Sequence, residues 1–277
     1  DVYKRQGIFY NRRMMEEDGY QIPSTYAELI HTMQQIKKAR KLPIVFADKD
    51  SWTIHQGWDA IDMSSRGSQD NLFQNVLNGT TVLYEDPIAL DSTRKFLEIR
   101  QYGQKQTINT GYDEAVKKFA KGEAYMFLQG NWAYPIIKKI NPYMDLLFMP
   151  FPTYNENQAR IVVKIDATLG ISASCKHSEA VDQFLDYVFS KDVSEYYAEK
   201  AGAYSCVKSV DIADSYAKAF TDSIREGEFF LEEFAYESEK SEARDALFQD
   251  FIGSPQRDTE ISFLKELNDL LILQKGD

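Results

Sequence analysis

Two rhythms of apolar and polar residues organise the first fifty positions. Ile8-Phe9-Tyr10 is a short apolar run closed by Asn11. Pro23-Ser24-Thr25 then opens a helical pattern. Thr25 and Glu28 have the spacing of a capping box, and Leu29, Met33 and Ile36 follow at helical intervals. Lys37, Lys38, Arg40 and Lys41 crowd the end of this helix, where the macrodipole favours cations. Pro43-Ile44-Val45-Phe46-Ala47 reads as a buried strand. The alternation strand, helix, strand predicts an α/β architecture with helices covering a sheet.

The same reading continues along the chain. A polar loop, Asp48 to Ser51, precedes Trp52 and Trp58, with His55 and Gln56 between them. Helical spacing recurs near 69–78, 91–102 and 112–120. Residues 123–128 read as a strand, 131–140 as a helix, and 146–149 as a strand ended by Pro150 and Pro152. Apolar runs at 161–163 and 169–172 read as strands. Helices follow at 179–189 and 192–200, the second closed by Ala201-Gly202. Everything later reads as helical, with two or three more helices. The acid-rich stretch Glu226 to Glu242 reads as a solvated face or loop rather than a metal site.

Composition narrows the classes. The formal charge is −11, which argues against a nucleic-acid or anionic-membrane partner, since both need Lys/Arg surfaces. No run approaches the ~18 apolar residues of a membrane span. Cys175 and Cys206 are too few for a disulfide framework and read as packing residues. The opening DVYKRQ shows neither the apolar core nor the cleavage site of a secretory signal. It is set aside as a non-native leader, residues 1–6.

In order, four segments resemble the sugar-binding family of extracellular solute-binding proteins of ABC importers, the family that includes maltose-binding proteins. GIFYNRRMMEEDGYQIPSTYAELI is similar to its aliphatic-x-Tyr-Asn-Lys and Pro-x-Thr-aromatic-x-Glu-Leu segment. LPIVFADKDSWT is similar to its strand and Trp-bearing loop, and FAKGEAYMFLQGNWAYPII to its Gly-x-Trp segment. KIDATLGISASCKHSEAVDQFLDYVFSKDVSEYYAEKAGAYSCVKSV is similar to its Gly-Gly-Asp to Ala-Gly tract. Two positions depart from that tract: Lys164-Ile165-Asp166 stands for Gly-Gly-Asp, and Cys206 stands where Pro is frequent.

The resemblance implies a periplasmic-binding-protein-like type II bilobal fold with most of the N-terminal lobe absent from this chain. It implies that residues 7–163 and 206–277 form the C-terminal lobe, and that 164–205 are a helical piece of the other lobe. The helices near 177–189 and 191–202 should then expose apolar surface. It also implies an extracytoplasmic, lipoprotein-type location, a mono- or oligosaccharide ligand, ABC permease subunits as partners, a monomer, and no cofactor.

The candidate ligand residues follow from the chemistry of a sugar, which offers one apolar C–H face and a rim of hydroxyls. Trp132, at a strand-to-helix corner, can serve as the plate, with the amides of Asn131 and Gln129 at the rim and free N–H groups at the helix start. Trp52 and His55 lie after the end of a strand, where α/β proteins place ligands. Asp166 can accept two bonds from adjacent hydroxyls, and Tyr204 follows the Ala-Gly turn. Trp58 reads as core. A glycosidase would need two carboxylates flanking a bond, and no pair stands out beside the aromatics. Nucleophile-elbow, zinc-helix and phosphate-loop motifs are absent too, so the chain does not read as an enzyme. A non-sugar solute is the alternative, though a phosphate site would call for Arg rather than aromatics and amides.

Overall fold

A computed structural model describes residues 2–66, 70, 72–154, 160–167, 169–201, 204–205, 207, 210, 229–232, 238–254 and 259–273. The sheet is built around strand β1 (Val2–Asn11). Strands β2 (Leu42–Val45), β3 (Ala124–Gly130), β4 (Leu146–Met149), β5 (Ile161–Ala167), β6 (Tyr204–Ser205) and β7 (Phe229–Glu232) complete it. The second half of β1 pairs antiparallel with β3 and β4, with Ile8 opposite both Leu128 and Met149. Its first half pairs with β5 and β6. Strand β2 runs parallel to β3, and β7 parallel to β5. The strand thus begins at Val2, inside the segment set aside as a leader.

The pleat sorts β1 and its neighbours into two cores. Ile8, Tyr10, Ile44, Met126 and Leu128 face one side. There they meet α2 (Tyr26–Lys38), α3 (Ser51–Ser64), α5 (Pro87–Arg100), α10 (Ser238–Gly253) and α11 (Glu260–Ile272). Phe9, Val45, Phe127 and Phe148 face the other side, against α6 (Tyr112–Ala120) and α7 (Tyr134–Ile140). Every residue of β3 is buried, as a central strand covered on both faces requires.

The helix starts carry their own signals. At α2 both halves of the Thr25–Glu28 capping box form. At α5 the Asp86 carboxylate accepts the N–H of Ala89 at 2.7 Å, and Pro87 holds the first position. That start lies four residues before the helical spacing becomes visible at 91, because Asp86-Pro87 is a cap signal rather than a periodic one.

Three further differences have physical causes. Residues 169–172 form no strand; Leu169 and Ile171 are exposed there, with no ladder to join. Strands β6 and β7 lie where helix was expected; Phe229-Phe230-Leu231 finds a partner edge in β5, which sequence cannot display. Cys175 is exposed rather than packed, and Cys206 lies outside the described residues. Helices α8 (Ser178–Val188) and α9 (Lys191–Ala201) do expose apolar surface: α8 buries no residue, with Phe184 56% and Tyr187 66% exposed.

One buried ion cluster fastens the helical layer. The Arg66 side chain, 1% exposed, holds Asp62 through two bonds of 2.5 and 2.9 Å, Asp86 at 2.8 Å and Asp70 at 3.1 Å. Burial opposes the guanidinium charge, but Asp62 and Asp86 outweigh it and hold Arg66 more firmly protonated than a free arginine. Removing one member of such a cluster strands the others. Arg66→Met should therefore cost about 3–5 kcal/mol in urea unfolding; a loss under ~1 kcal/mol would show that the cluster contributes no net stability.

Candidate functional site

Strand β2 ends at Val45, opposite Phe127 of the parallel β3, which runs on to Gly130. Past these ends the chain turns into the loop 46–50 and the 3-10 turn Asn131–Ala133. Three rings gather there. Trp52, in the first turn of α3, lies 6.2 Å from Trp132 and 5.1 Å from Tyr112, centroid to centroid, at interplanar angles of 52° and 53°. All three are half-buried, so part of each aromatic surface stays open.

A glycine makes this arrangement possible. A Cβ placed on Gly130 would sit 1.9–2.3 Å from three carbons of the Trp132 indole. The indole therefore rests directly on the strand's last residue, and any side chain at 130 would push it away. The amide groups expected at the rim are close by. Asn131 is buried in the turn. Gln129 is buried at the end of β3, and its Oε1 accepts the Gly130 N–H at 3.1 Å.

The loop carrying Trp52 is held from several directions. Asp50 stands at the start of α3 yet caps a different helix: its Oδ2 accepts the Tyr112 N–H at 2.6 Å. Asp48 receives two bonds from Arg100, at 3.1 and 3.2 Å, and that guanidinium lies 3.7 Å from the Phe96 ring centroid. Gln104 brackets Phe46, donating to its carbonyl at 2.6 Å and accepting its N–H at 3.1 Å. These bonds fix the backbone beneath Trp52, and with it the distance between the rings.

His55 does not join the aromatic group. His55 is 5% exposed, and its Nδ1 lies 2.8 Å from Asp245 on α10. It ties two helices together. Trp58 is core, donating its Nε1 hydrogen to Thr93 at 3.0 Å. Asp166 lies within β5 and Tyr204 within β6, opposite Tyr3; their side chains fall outside what is described. Among the described residues, no group of three or more His, Cys, Asp or Glu side chains is placed to hold a metal, and no helix is long and apolar enough to cross a membrane.

Sequence reasoning missed Tyr112 and the role of Gly130. Tyr112 follows Gly111 at a helix start, a signal that marks the helix but not what it faces. Gly130 was readable only as a turn residue.

The fold is the α/β type II fold of periplasmic sugar-binding proteins. RafE, a solute-binding protein solved with raffinose, superposes with a TM-score of 0.82 at 20% identity, over 99% of this chain and 72% of that one; it has also been solved in its apo form, from Streptococcus pneumoniae. A chitin oligosaccharide binding protein superposes with a TM-score of 0.81 at 19% identity, over 99% and 70%. The chain belongs to the bacterial extracellular solute-binding protein family, whose model matches residues 1–195. The multiple sugar-binding protein of Streptococcus mutans is 26% identical over 209 residues, which is 74% of this chain and 50% of that protein. An ABC transporter extracellular-binding protein of Pyrococcus horikoshii is 23% identical over 192 residues, 68% and 42% respectively. The chain thus spans about half the length of the curated relatives it matches.

Two outcomes test this geometry. Gly130→Ala should displace the Trp132 indole, shifting the tryptophan emission maximum while the far-UV circular dichroism stays unchanged; an unaltered spectrum would mean that the ring does not rest on this residue. The second concerns pH. Burial pushes the Asp245 carboxyl up, but its hydrogen bond and charge interaction with His55, and the charge of Arg244, outweigh it and leave the group below the usual carboxylate range. A depressed folded-state pKa gives stability that is present above the unfolded value, near about 3.9, and lost as pH falls through the folded value. Asp245→Asn should therefore lower Tm at pH 7, with the gap to the parent closing as pH drops below about 4. A gap that persists at pH 2 would assign the loss to packing instead.

Proposed function

We propose that this chain is the extracytoplasmic solute-binding component of an ABC importer, and that it captures a sugar or oligosaccharide for delivery to permease subunits in the membrane. The observation that carries this reading is the aromatic shelf at the ends of β2 and β3. Trp132 lies on Gly130 and faces Trp52, with Tyr112 beside it. Flat, half-open rings suit the C–H face of a sugar, and the neighbouring amides of Asn131 and Gln129 suit its hydroxyl rim. The names of relatives point the same way, since three similar proteins are named for, or solved with, multiple sugars, chitin oligosaccharide or raffinose.

The work of such a protein is binding, not catalysis. Residues 7–163 and 206–277 would supply one lobe and 164–205 part of the other. In support, α10 and α11 enter the first core while α8 buries nothing. Asp166 and Tyr204, on strands beside β1, would then contribute from the lobe junction. A ligand that prefers the closed arrangement shifts the protein toward it, and that state would be the one presented to the permease. The protein would act as a monomer, without cofactor or metal.

Isothermal calorimetry against raffinose, maltotriose, chito-oligosaccharides, galactose and glucose 6-phosphate tests the reading. A neutral sugar should bind, and Trp132→Ala should weaken it at least ~10-fold, about 1.4 kcal/mol. Preference for the phosphate ester, or unchanged affinity in the variant, would refute it.

A further inference from the structure

Helix α10 reaches the support of the aromatic shelf at two successive turns. Asp245 meets the Nδ1 of His55 at 2.8 Å. Four residues later Gln249 directs its Nε2 hydrogens to the carbonyls of Asp48 and Lys49, at 3.4 and 3.3 Å. The order is reversed, since the later residue of α10 meets the earlier residues of its partner. Helix α10 therefore runs antiparallel to α3, with Gln249 beside the loop that leads into Trp52. Positions 245, 248 and 249 share one helical face. Phe248 is buried there, its ring centroid 6.4 Å from His55, 5.9 Å from Trp58 and 6.0 Å from Phe96.

The backbone of loop 46–50 shows what this contact adds. Gln104 brackets Phe46, the Ala47 carbonyl accepts the Thr53 hydroxyl at 2.9 Å, and the Lys49 N–H donates to the Thr110 carbonyl at 3.1 Å. Those partners come from α3 itself or from residues 104–110. The carbonyls of Asp48 and Lys49 differ: among the described residues their donor is Gln249. Two neighbouring carbonyls call for a group with two hydrogens on one nitrogen, and a carboxamide supplies it. A carboxylate of the same shape could not donate at all.

We propose that Gln249 is a positioning residue of the solute site, the point at which α10 fixes the loop beneath Trp52 and so the separation of Trp52 from Trp132. This rests on the sugar reading above. Gln249 touches no ligand and acts through the backbone it holds. The three rings belong to residues 52–132, yet their geometry then depends on a helix more than a hundred residues further along the chain. A plate whose orientation is settled beforehand costs less entropy to use. Loss of the Gln249 donor should therefore be felt in ring geometry and affinity. It should be felt little in overall stability, because Phe248 and the His55–Asp245 contact still seat α10 on α3.

Gln249→Met and Gln249→Lys test this. The first keeps the side chain's length and removes the donor; the second restores donor hydrogens without the amide. Parent and variants are compared by near-UV circular dichroism of the empty protein, by melting, and by titration with the sugar panel above. Gln249→Met should change the near-UV signal of the neighbouring indoles and bind the sugar at least ~5-fold more weakly, about 1 kcal/mol, with its far-UV spectrum kept. Gln249→Lys should recover both signal and affinity. If Trp132→Ala loses the sugar while Gln249→Met matches the parent in both readouts, the positioning role is overturned and the sugar reading stands. If both Gln249 variants are impaired alike, the loss comes from the shape of residue 249 and the donor role is overturned. If no sugar binds the parent, the sugar reading falls, and the near-UV spectra decide alone: a change in Met restored in Lys supports the role, and an unchanged spectrum overturns it. A methionine variant that melts well below the parent is replaced by Gln249→Glu, which keeps the polar shape without the donor and is judged by the same readouts.

Discussion

The antiparallel ladder along β1 is the constraint on which the rest depends. Among the described residues, β3, β4, β5 and β6 all pair with it, while β2 and β7 attach through β3 and β5. A ten-residue strand cannot serve four partners side by side, so it serves them in series, two along each half. The exchange falls at Gln6-Gly7. Gly7 has no room for a side chain there, since a Cβ would come 2.3 Å from the Met149 carbonyl oxygen. Because the period of a strand is two, this register also decides which residues of β3 reach the helical face. It puts Gly130 beside Gln6, and so fixes where the Trp132 indole comes to rest.

From that point the site is a matter of holding three rings at fixed separations. An aromatic plate is useful to a ligand only if its orientation is settled beforehand, since ordering it on binding would cost conformational entropy. The chain settles it with polar bonds rather than with more apolar packing. Asp50 links the start of α3 to the start of α6, and Arg100 anchors Asp48. His55 and Asp245 bring α10 against α3. These bonds fix the backbone that carries the rings. His55 was nominated for its place after a strand end; in the structure its ring is engaged by Asp245 on α10 instead.

Legibility in the sequence followed the range of the interaction. The start of α2 was plain because its capping box is complete within four residues. The strand read at 123–128 and the corner holding Trp132 were plain because an apolar run ends at Leu128, before Gln129-Gly130. Strand β7 was not, because an acidic neighbourhood masks three apolar residues whose meaning depends on the edge of β5. The first half of β1 was not, because Tyr3, Lys4 and Arg5 show no apolar alternation and their partners come from far along the chain. Trp132 and Trp52 could be nominated from residue type and position. Tyr112 could not, since nothing local says that the start of α6 meets the start of α3. Asp245 as the partner of His55 was beyond reach for the same reason.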